Sequence, residues 1–358
     1  MLPLTTQSPA PEIRVKFLSK ARIKNDASEW LKRFPNKTPR WGNCSYIFDP
    51  NCRNYDWLVV YDDLPPNAKE RRTIKMESLP DSCPKSRTLL ITTEPSTIKV
   101  YGRSFTRQFG HILTSQEPWI MHHPGAIFSQ TGLIPFYGSS GERGSYDSLT
   151  ANVPVNKSSL ISTVCSAKQQ SHTLHRARYN FTQKLKHSLP ALDIFGHGVR
   201  PISDKADALD SYRYHLAIEN HLCPHHWTEK LSDAFLGGCL PFYHGCPNYT
   251  DYFPKESVIP IDIEDFDGAL RIISEAMNNG EYEKRLPYIL ESRNRVLNEH
   301  GLFPLLTRII SNMPATPPEI DGPGLIYSRH ALRKKNPIMA LQDAYEKITS
   351  GFYHRFLR

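Results

Sequence analysis

From Leu160 onward, short apolar runs alternate with segments of helical periodicity, and this alternation leaves few folds open to the chain. Leu160 to Val164, Leu192 to Phe195, Tyr212 to Ile218, Leu240 to Tyr243 and Val258 to Ile263 have the length and the β-branched or aromatic content of buried strands. Helical patterns lie between or after them, around Arg178 to Leu185, from Glu229, and over Asp267 to Met277 and Tyr282 to Glu299. Strands joined through helices return to the same end of a sheet and pair in parallel, so the succession predicts a doubly wound α/β domain. Upstream, Ile13 to Leu18, Trp57 to Tyr61 and Thr88 to Thr92 are further short apolar runs, with an amphipathic helix expected over Ala27 to Phe34. Ser139 to Ser159 is rich in Gly, Ser, Asn and charge with few apolar anchors, and reads as a linker. The expected organisation is an α/β domain over 1–150, a second over 151–325, and a basic tail or helix over 326–358. A chain of 358 residues gives each half enough length for its own core.

The net charge of +8 and a sequence pI near 9.0 suit nucleic acid, anionic lipid or an anionic small molecule. The basic residues are spread along the chain without a nucleic-acid motif, so nucleic acid is set aside. Their densest cluster, Arg329-His330-Ala331-Leu332-Arg333-Lys334-Lys335, precedes an expected last helix from Ile338 to Phe356. It is suited either to solvent or to peripheral contact with an anionic membrane surface. No run approaches the roughly 18 apolar residues of a membrane span. Met1-Leu2-Pro3-Leu4-Thr5-Thr6 lacks a charged segment followed by an apolar one, so a cytoplasmic location is expected. Seven cysteines with no Cys-x-x-Cys pair point to reduced thiols.

The most specific local signal lies in the second half. Tyr212, Tyr214, Leu216 and Ile218 alternate as in a half-buried strand; after Glu219-Asn220 and a short loop, Thr228 stands where an N-cap belongs. Glu229 and Lys230 then occupy the first helical turn, where free N–H groups and the positive end of the macrodipole gather. A lysine there costs about 0.3–1 kcal/mol at an exposed helix start. Its presence makes sense if lysine and helix start share an anion, with phosphate the natural candidate. In the first half, Glu94 follows the run Thr88 to Thr92, and ligands of open α/β sheets bind beyond the carboxyl ends of strands. The alternative reading of Glu94 is a turn residue before Pro95.

The ordered set Tyr212, Tyr214, Leu216, Glu219-Asn220 and Thr228-Glu229-Lys230 resembles the donor-site signature of the glycosyltransferase family 10 α-1,3/4-fucosyltransferases. The similarity continues through Ala234-Phe235, Gly238, Pro241, Tyr243, Gly245, Tyr252-Phe253-Pro254, Ser257 and Asp265-Phe266. Upstream, Asp193 to Gly198 is similar to the family's strand ending in Phe-Gly-x-Gly, Arg178-Tyr179-Asn180-Phe181 to its Arg-x-x-Phe helix, and Thr93-Glu94-Pro95 to the turn that carries its base. The chain departs from the pattern at His226, flanked by His225 and Trp227, where the family commonly has tyrosine. The resemblance implies two Rossmann-like domains facing across a cleft, the GT-B arrangement. It also implies inverting α-1,3 transfer of L-fucose from GDP-fucose to a GlcNAc- or Glc-containing oligosaccharide of the glycan or lipopolysaccharide type. The alternatives are a transferase of the same fold with a different nucleotide-sugar donor, and a carbohydrate-binding protein without catalysis.

Residue by residue, the resemblance makes Glu94 the general base and gives the diphosphate to Arg178 and Lys230. Glu229 becomes the carboxylate for ribose hydroxyls or for positive charge on the fucosyl ring, Asn220 a further donor contact, and Gly196 and Gly198 a tight turn near the guanine. His226 is left to donate a hydrogen bond to phosphate or sugar, and protonation near pH 6.5 would make donor binding pH-sensitive. One base on the face opposite the leaving group implies a single displacement with inversion. No cofactor is required in this reading: the full Gly-x-Gly-x-x-Gly fingerprint is absent, and so is an Asp-x-Asp element in the expected place. A divalent cation, Mn or Mg, enters only as a stimulant. His221, Cys223, His225 and His226 fall in no recognised zinc spacing, so no metal ligand is assigned.

Overall fold

Two parallel sheets form, and both have a doubly wound strand order in the computed structural model, which describes residues 11–20, 27–65, 76–167, 174–314 and 324–356. The first is built from β1 (Ile13–Ser19), β2 (Arg40–Trp41), β3 (Cys44–Ile47) and β4 (Trp57–Tyr61). After the separate β5 (Met76–Ser78), it continues with β6 (Thr88–Ile91), β7 (His111–Thr114) and β8 (Ala126–Phe128). Its order is β2-β3-β1-β4-β6-β7-β8, parallel except for the short β2–β3 pair. The second contains β9 (Ser159–Val164), β10 (Leu192–Phe195), β11 (Tyr212–Ile218), β12 (Leu240–His244) and β13 (Ile259–Pro260) in the all-parallel order β10-β9-β11-β12-β13. β14 (Leu325–Tyr327) pairs antiparallel with β5 outside both sheets.

Each sheet is covered on both faces, which is why its strands read as nearly continuous apolar runs. In the first sheet, Val15, Phe17, Trp57, Val59, Leu89 and Ile91 pack into one core. Leu18, Leu58, Val60 and Leu90 pack into the core on the other face, as the period of two requires. The second sheet has its own core, including Ile161, Leu216, Phe235 and Phe242. The run expected to end at Ile263 shortens to Ile259–Pro260, where Pro260 has no N–H to give the ladder. A helix at Tyr146–Ala151 lies inside the stretch read as linker, with Ser145 accepting from the Ser148 N–H as its N-cap. A further helix, Leu302–Asn312, lies beyond the expected ones and carries the chain back to the first sheet: Leu302, Phe303, Leu305, Leu306 and Ile310 fill that sheet's core.

In an open parallel sheet the crevice lies outside the carboxyl ends of the strands where the winding reverses. In the second sheet this point is between β9 and β11, since β10 is wound to one side and β12 and β13 to the other. The carboxyl-end loops of the two sheets meet. Ser115, just past β7, has its Oγ 3.0 Å from Nδ1 of His226, beyond β11. The two Rossmann-like domains therefore face each other across a cleft.

Candidate functional site

A pocket opens at the reversal point of the second sheet, lined by Thr163 and Val164 of β9, Leu216 to Ile218 of β11, and Arg178, Lys205, Lys230 and Asp233. Arg178 projects from the helix His175–Ser188, which follows β9, and is 7% exposed. Its Nε is buried without a hydrogen-bond partner among the described residues. Lys230 lies in the first turn of the helix Glu229–Leu236, and the Arg178 charge works against its own. Two cations converging on one pocket repel each other unless an anion joins them.

Thr228 is the N-cap, its Oγ1 accepting from the Lys230 N–H at 3.4 Å. Glu219 fixes that cap from below: its carboxylate accepts from the Thr228 N–H at 2.8 Å and from the Thr228 hydroxyl at 2.6 Å, and it is fully buried. Gly245 leaves Glu219 its space, because a Cβ there would collide with Glu219 Cγ and the Tyr243 hydroxyl. The electrostatic mismatch of a lysine at a helix start is met inside the protein. Nζ of Lys230 donates to Glu229 Oε1 at 2.8 Å and to Thr228 Oγ1 at 3.0 Å, and stands 3.3 Å from Glu219 Oε2. Burial opposes both charges, yet Lys230 and Lys205 hold the Glu229 carboxyl well below the usual range. Glu229 and Glu219 likewise hold the Lys230 ammonium above its ordinary value.

Lys205 carried no signal in the sequence. It sits in the one-turn helix Lys205–Ala208, and its Nζ is 2.9 Å from Asp233 Oδ2. Asp233 Oδ1 accepts from the N–H groups of Phe136 and Tyr137 at 2.9 and 3.0 Å, which ties the helix Glu229–Leu236 to the chain leaving the first domain. His215 also lines the pocket, and burial, reinforced by Lys205, pushes its imidazole down to about 3.

Across the cleft, Glu94 lies just past β6 with an exposed side chain and a fixed backbone. Gln116 Nε2 donates to the Glu94 carbonyl at 2.8 Å, and the Thr93 N–H donates to the Tyr101 hydroxyl at 2.8 Å. Partial burial first, then the negative charges of Asp62 and Glu229, raise the Glu94 carboxyl above its ordinary value; Lys99 and Lys230 act against the rise. The two domains thus bring their charged groups within electrostatic reach. Asp62, another residue without a sequence signal, adopts a left-handed backbone at φ 75, pairs with Lys99 and accepts from the Tyr101 hydroxyl at 2.7 Å.

The other expected contacts divide. Gly196 (φ 136) and Gly198 (φ 83) form the turn after β10; a Cβ on Gly196 would stand 2.7 Å from the Cys165 carbonyl oxygen, so the turn needs glycine. Asn220 Oδ1 is buried without a partner among the described residues, and its carbonyl accepts from the Leu174 N–H at 3.2 Å, beside the start of the Arg178 helix. His226 does not line the pocket. It is 4% exposed, with Nδ1 turned to Ser115, and burial, His221 and Lys230 push it down to about 3. The expected protonation near pH 6.5 is therefore corrected: burial keeps this imidazole neutral through the physiological range.

Residues 154–279 match the family model described as glycosyltransferase family 10 (fucosyltransferase) C-term. Alpha-(1,3)-fucosyltransferase B of Drosophila melanogaster is 29% identical over 103 residues, which are 28% of this chain and 23% of that protein. Alpha-(1,3)-fucosyltransferase FucT of Helicobacter pylori is 33% identical over 73 residues, 20% of this chain and 15% of that protein. The matched stretches thus span less than a quarter of either relative's length. A solved α1,3-fucosyltransferase with GDP-fucose superposes at a TM-score of 0.46 and 15% identity, covering 90% of this chain and 96% of that one.

Proposed function

We propose, from the match of residues 154–279 to the glycosyltransferase family 10 (fucosyltransferase) C-terminal model, that this chain transfers L-fucose from GDP-fucose to the 3-hydroxyl of a GlcNAc or Glc unit in an oligosaccharide, with inversion. The observation that carries this reading is the convergence of Arg178 and Lys230 on the reversal-point pocket, with a buried Arg178 Nε left for a ligand. A diphosphate satisfies both cations and the helix N-terminus together.

In the proposed reaction the acceptor hydroxyl gives its proton to Glu94 while its oxygen bonds to C1 of the sugar. The bond from C1 to the phosphate oxygen breaks on the opposite face, and GDP leaves. Lys230 and Arg178 stabilise the charge that develops on the leaving oxygen, the kind of fixed electrostatic contribution that is usually largest in group transfer. Glu229, kept ionised by Lys230 and Lys205, faces the positive charge that grows on the ring. The raised Glu94 carboxyl supports its role, since a base with a higher pKa takes a proton more readily once ionised. No step uses a divalent ion; Arg178, Lys205 and Lys230 supply the positive charge.

The proposal extends to peripheral contact with an anionic membrane from the cytoplasmic side. Ile338, Leu341, Tyr345, Ile348 and Phe352 form an exposed apolar stripe on the last helix, beside the basic segment Arg329–Lys335, which supports such contact. No described helix is long and apolar enough to cross a membrane.

The deciding experiment is GDP release from GDP-fucose with and without lactosamine, lacto-N-biose and lactose. Acceptor-dependent release that is lost in Lys230→Ala supports the proposal. GDP-fucose binding without release for any acceptor, including lipid-linked glycans, counts against it.

A further inference from the structure

Where the two domains meet, Glu117, His221 and Cys223 bring a carboxylate oxygen, an imidazole nitrogen and a thiol sulfur within 4.8 Å of one another. Glu117 follows β7 of the first sheet, while His221 and Cys223 follow β11 of the second, so no single segment of sequence contains the set. His221 and Cys223 are 1% and 5% exposed. We propose that these three residues bind a transition metal of the zinc class, which staples the first domain to the loop that leads into the donor helix.

The ligand set selects the metal. One sulfur, one nitrogen and one oxygen suit Zn²⁺, whereas Mg²⁺ and Ca²⁺ call for oxygen ligands alone. A fourth tetrahedral position falls to water or to His226 or His354, whose rings each lie 5.6 Å from that of His221, centroid to centroid.

The surrounding contacts orient the three groups. The Ser96 hydroxyl donates to Glu117 Oε2 at 2.6 Å, which leaves Oε1 directed at Nε2 of His221, 2.9 Å away. Nδ1 of His221 is 3.3 Å from Thr97 Oγ1, the outer contact that commonly fixes the ring of a metal-binding histidine. Cys223 Sγ lies 3.1 Å from the Ser115 carbonyl oxygen. On binding, the His221 proton resides on Nδ1 toward Thr97, and the Cys223 thiol proton passes to solvent as the sulfur–zinc bond forms, with no change in oxidation state.

The site is separate from the proposed transfer chemistry, and it explains a cluster that spacing alone disqualified. Glu219, the carboxylate nearest to His221 in sequence, is committed to the Thr228 cap, and Glu117 supplies the oxygen ligand from the other domain. The loop from His221 to Trp227 ends at the Thr228 cap, so a metal here would set the position of Glu229 and Lys230 relative to the first domain.

Metal content and spectrum test this without reference to turnover. Untagged protein exposed to Zn²⁺ and then desalted is expected to retain about one zinc per chain by plasma mass spectrometry, as a tight structural site does. Loaded with Co²⁺ instead, it is expected to show a thiolate-to-cobalt charge-transfer band in the near ultraviolet. Cys223→Ser should abolish that band and Glu117→Gln should lower zinc retention, with circular dichroism checking that each variant folds. Wild-type protein that retains no zinc, a cobalt spectrum without the thiolate band, or zinc retained unchanged in both folded variants overturns the proposal. The wild-type spectrum decides even if both variants misfold.

Discussion

Among the described residues, Lys16 with Glu77 and Lys230 with Glu219 and Glu229 form two little-exposed lysine–glutamate clusters, and the contrast between them tests which charge is structural. Lys16 of β1 has no exposed side-chain surface, and its three donors go to Glu77 Oε1 and to the carbonyls of Pro50 and Cys52, at 2.6, 2.8 and 2.9 Å. The Tyr55 hydroxyl donates to the same carboxylate at 3.0 Å. Lys230, in contrast, keeps 17% of its side chain exposed beside the pocket and faces a second cation, Arg178, whose Nε has no partner among the described residues. Burial and pairing are common to both. Arg53 also reaches Glu77, so each cluster holds two cations; the second differs in a buried donor, Arg178 Nε, that no described group meets.

The comparison predicts opposite consequences for removing a charge. The largest change is expected across the cleft: Glu94→Gln should lower kcat by about 10²–10⁴-fold while GDP affinity holds, measured by turnover beside calorimetric titration. A matching loss of GDP affinity would move Glu94 from base to donor contact. Next comes Lys16→Met, which leaves Glu77 buried without its main partner and should cost about 3–5 kcal/mol in urea unfolding. The folded fraction should retain wild-type kcat. Arg178→Ala and Lys230→Ala should do the reverse, losing about 10²–10³-fold in kcat with smaller effects on the unfolding midpoint. If Lys230→Ala proved as destabilising as Lys16→Met and still turned over, the two clusters would be alike and the distinction would fail.

Which parts could be read in the sequence follows from how far apart the interacting residues lie along it. The strands Trp57–Tyr61, Leu192–Phe195 and Tyr212–Ile218 were legible because a strand buried on both faces needs a continuous apolar run. The Thr228 cap was legible because its partners are two residues away. Lys205, Asp62 and Glu117 were not. Each lies in a segment without periodicity, and the topology alone brings Lys205 to Asp233 and Glu117 to His221. The helix Leu302–Asn312 escaped for another reason: Pro304 looks like a breaker, yet proline is tolerated in a helix's first turn, where its missing N–H is not needed.

The smallest expected effect concerns pH and tests how dry the pocket beside Lys230 is. Burial pushes His215, in the pocket wall, to about 3 and His300, outside it, to about 4. An unfolded histidine titrates near 6.5, so below that value the unfolded chain takes up protons that the folded one does not. Stability must therefore fall as pH falls from about 6.5, by up to about 1.4 kcal/mol per pH unit for each such histidine. Carboxylates held below their ordinary range, Glu229 among them, lose their contribution only at lower pH, so in the window from about 5 to 6.5 the histidines drive the decline and the raised Glu94 and Asp233 carboxyls oppose it. Urea midpoints across that window should decline, and His215→Asn should flatten the decline whatever its effect at pH 7.5. An unchanged slope would mean that the folded protein protonates His215 as readily as the unfolded chain does. The pocket would then be wet enough to screen Arg178 from Lys230, and the unmet Arg178 donor that sets this cluster apart from Lys16 would have water for a partner.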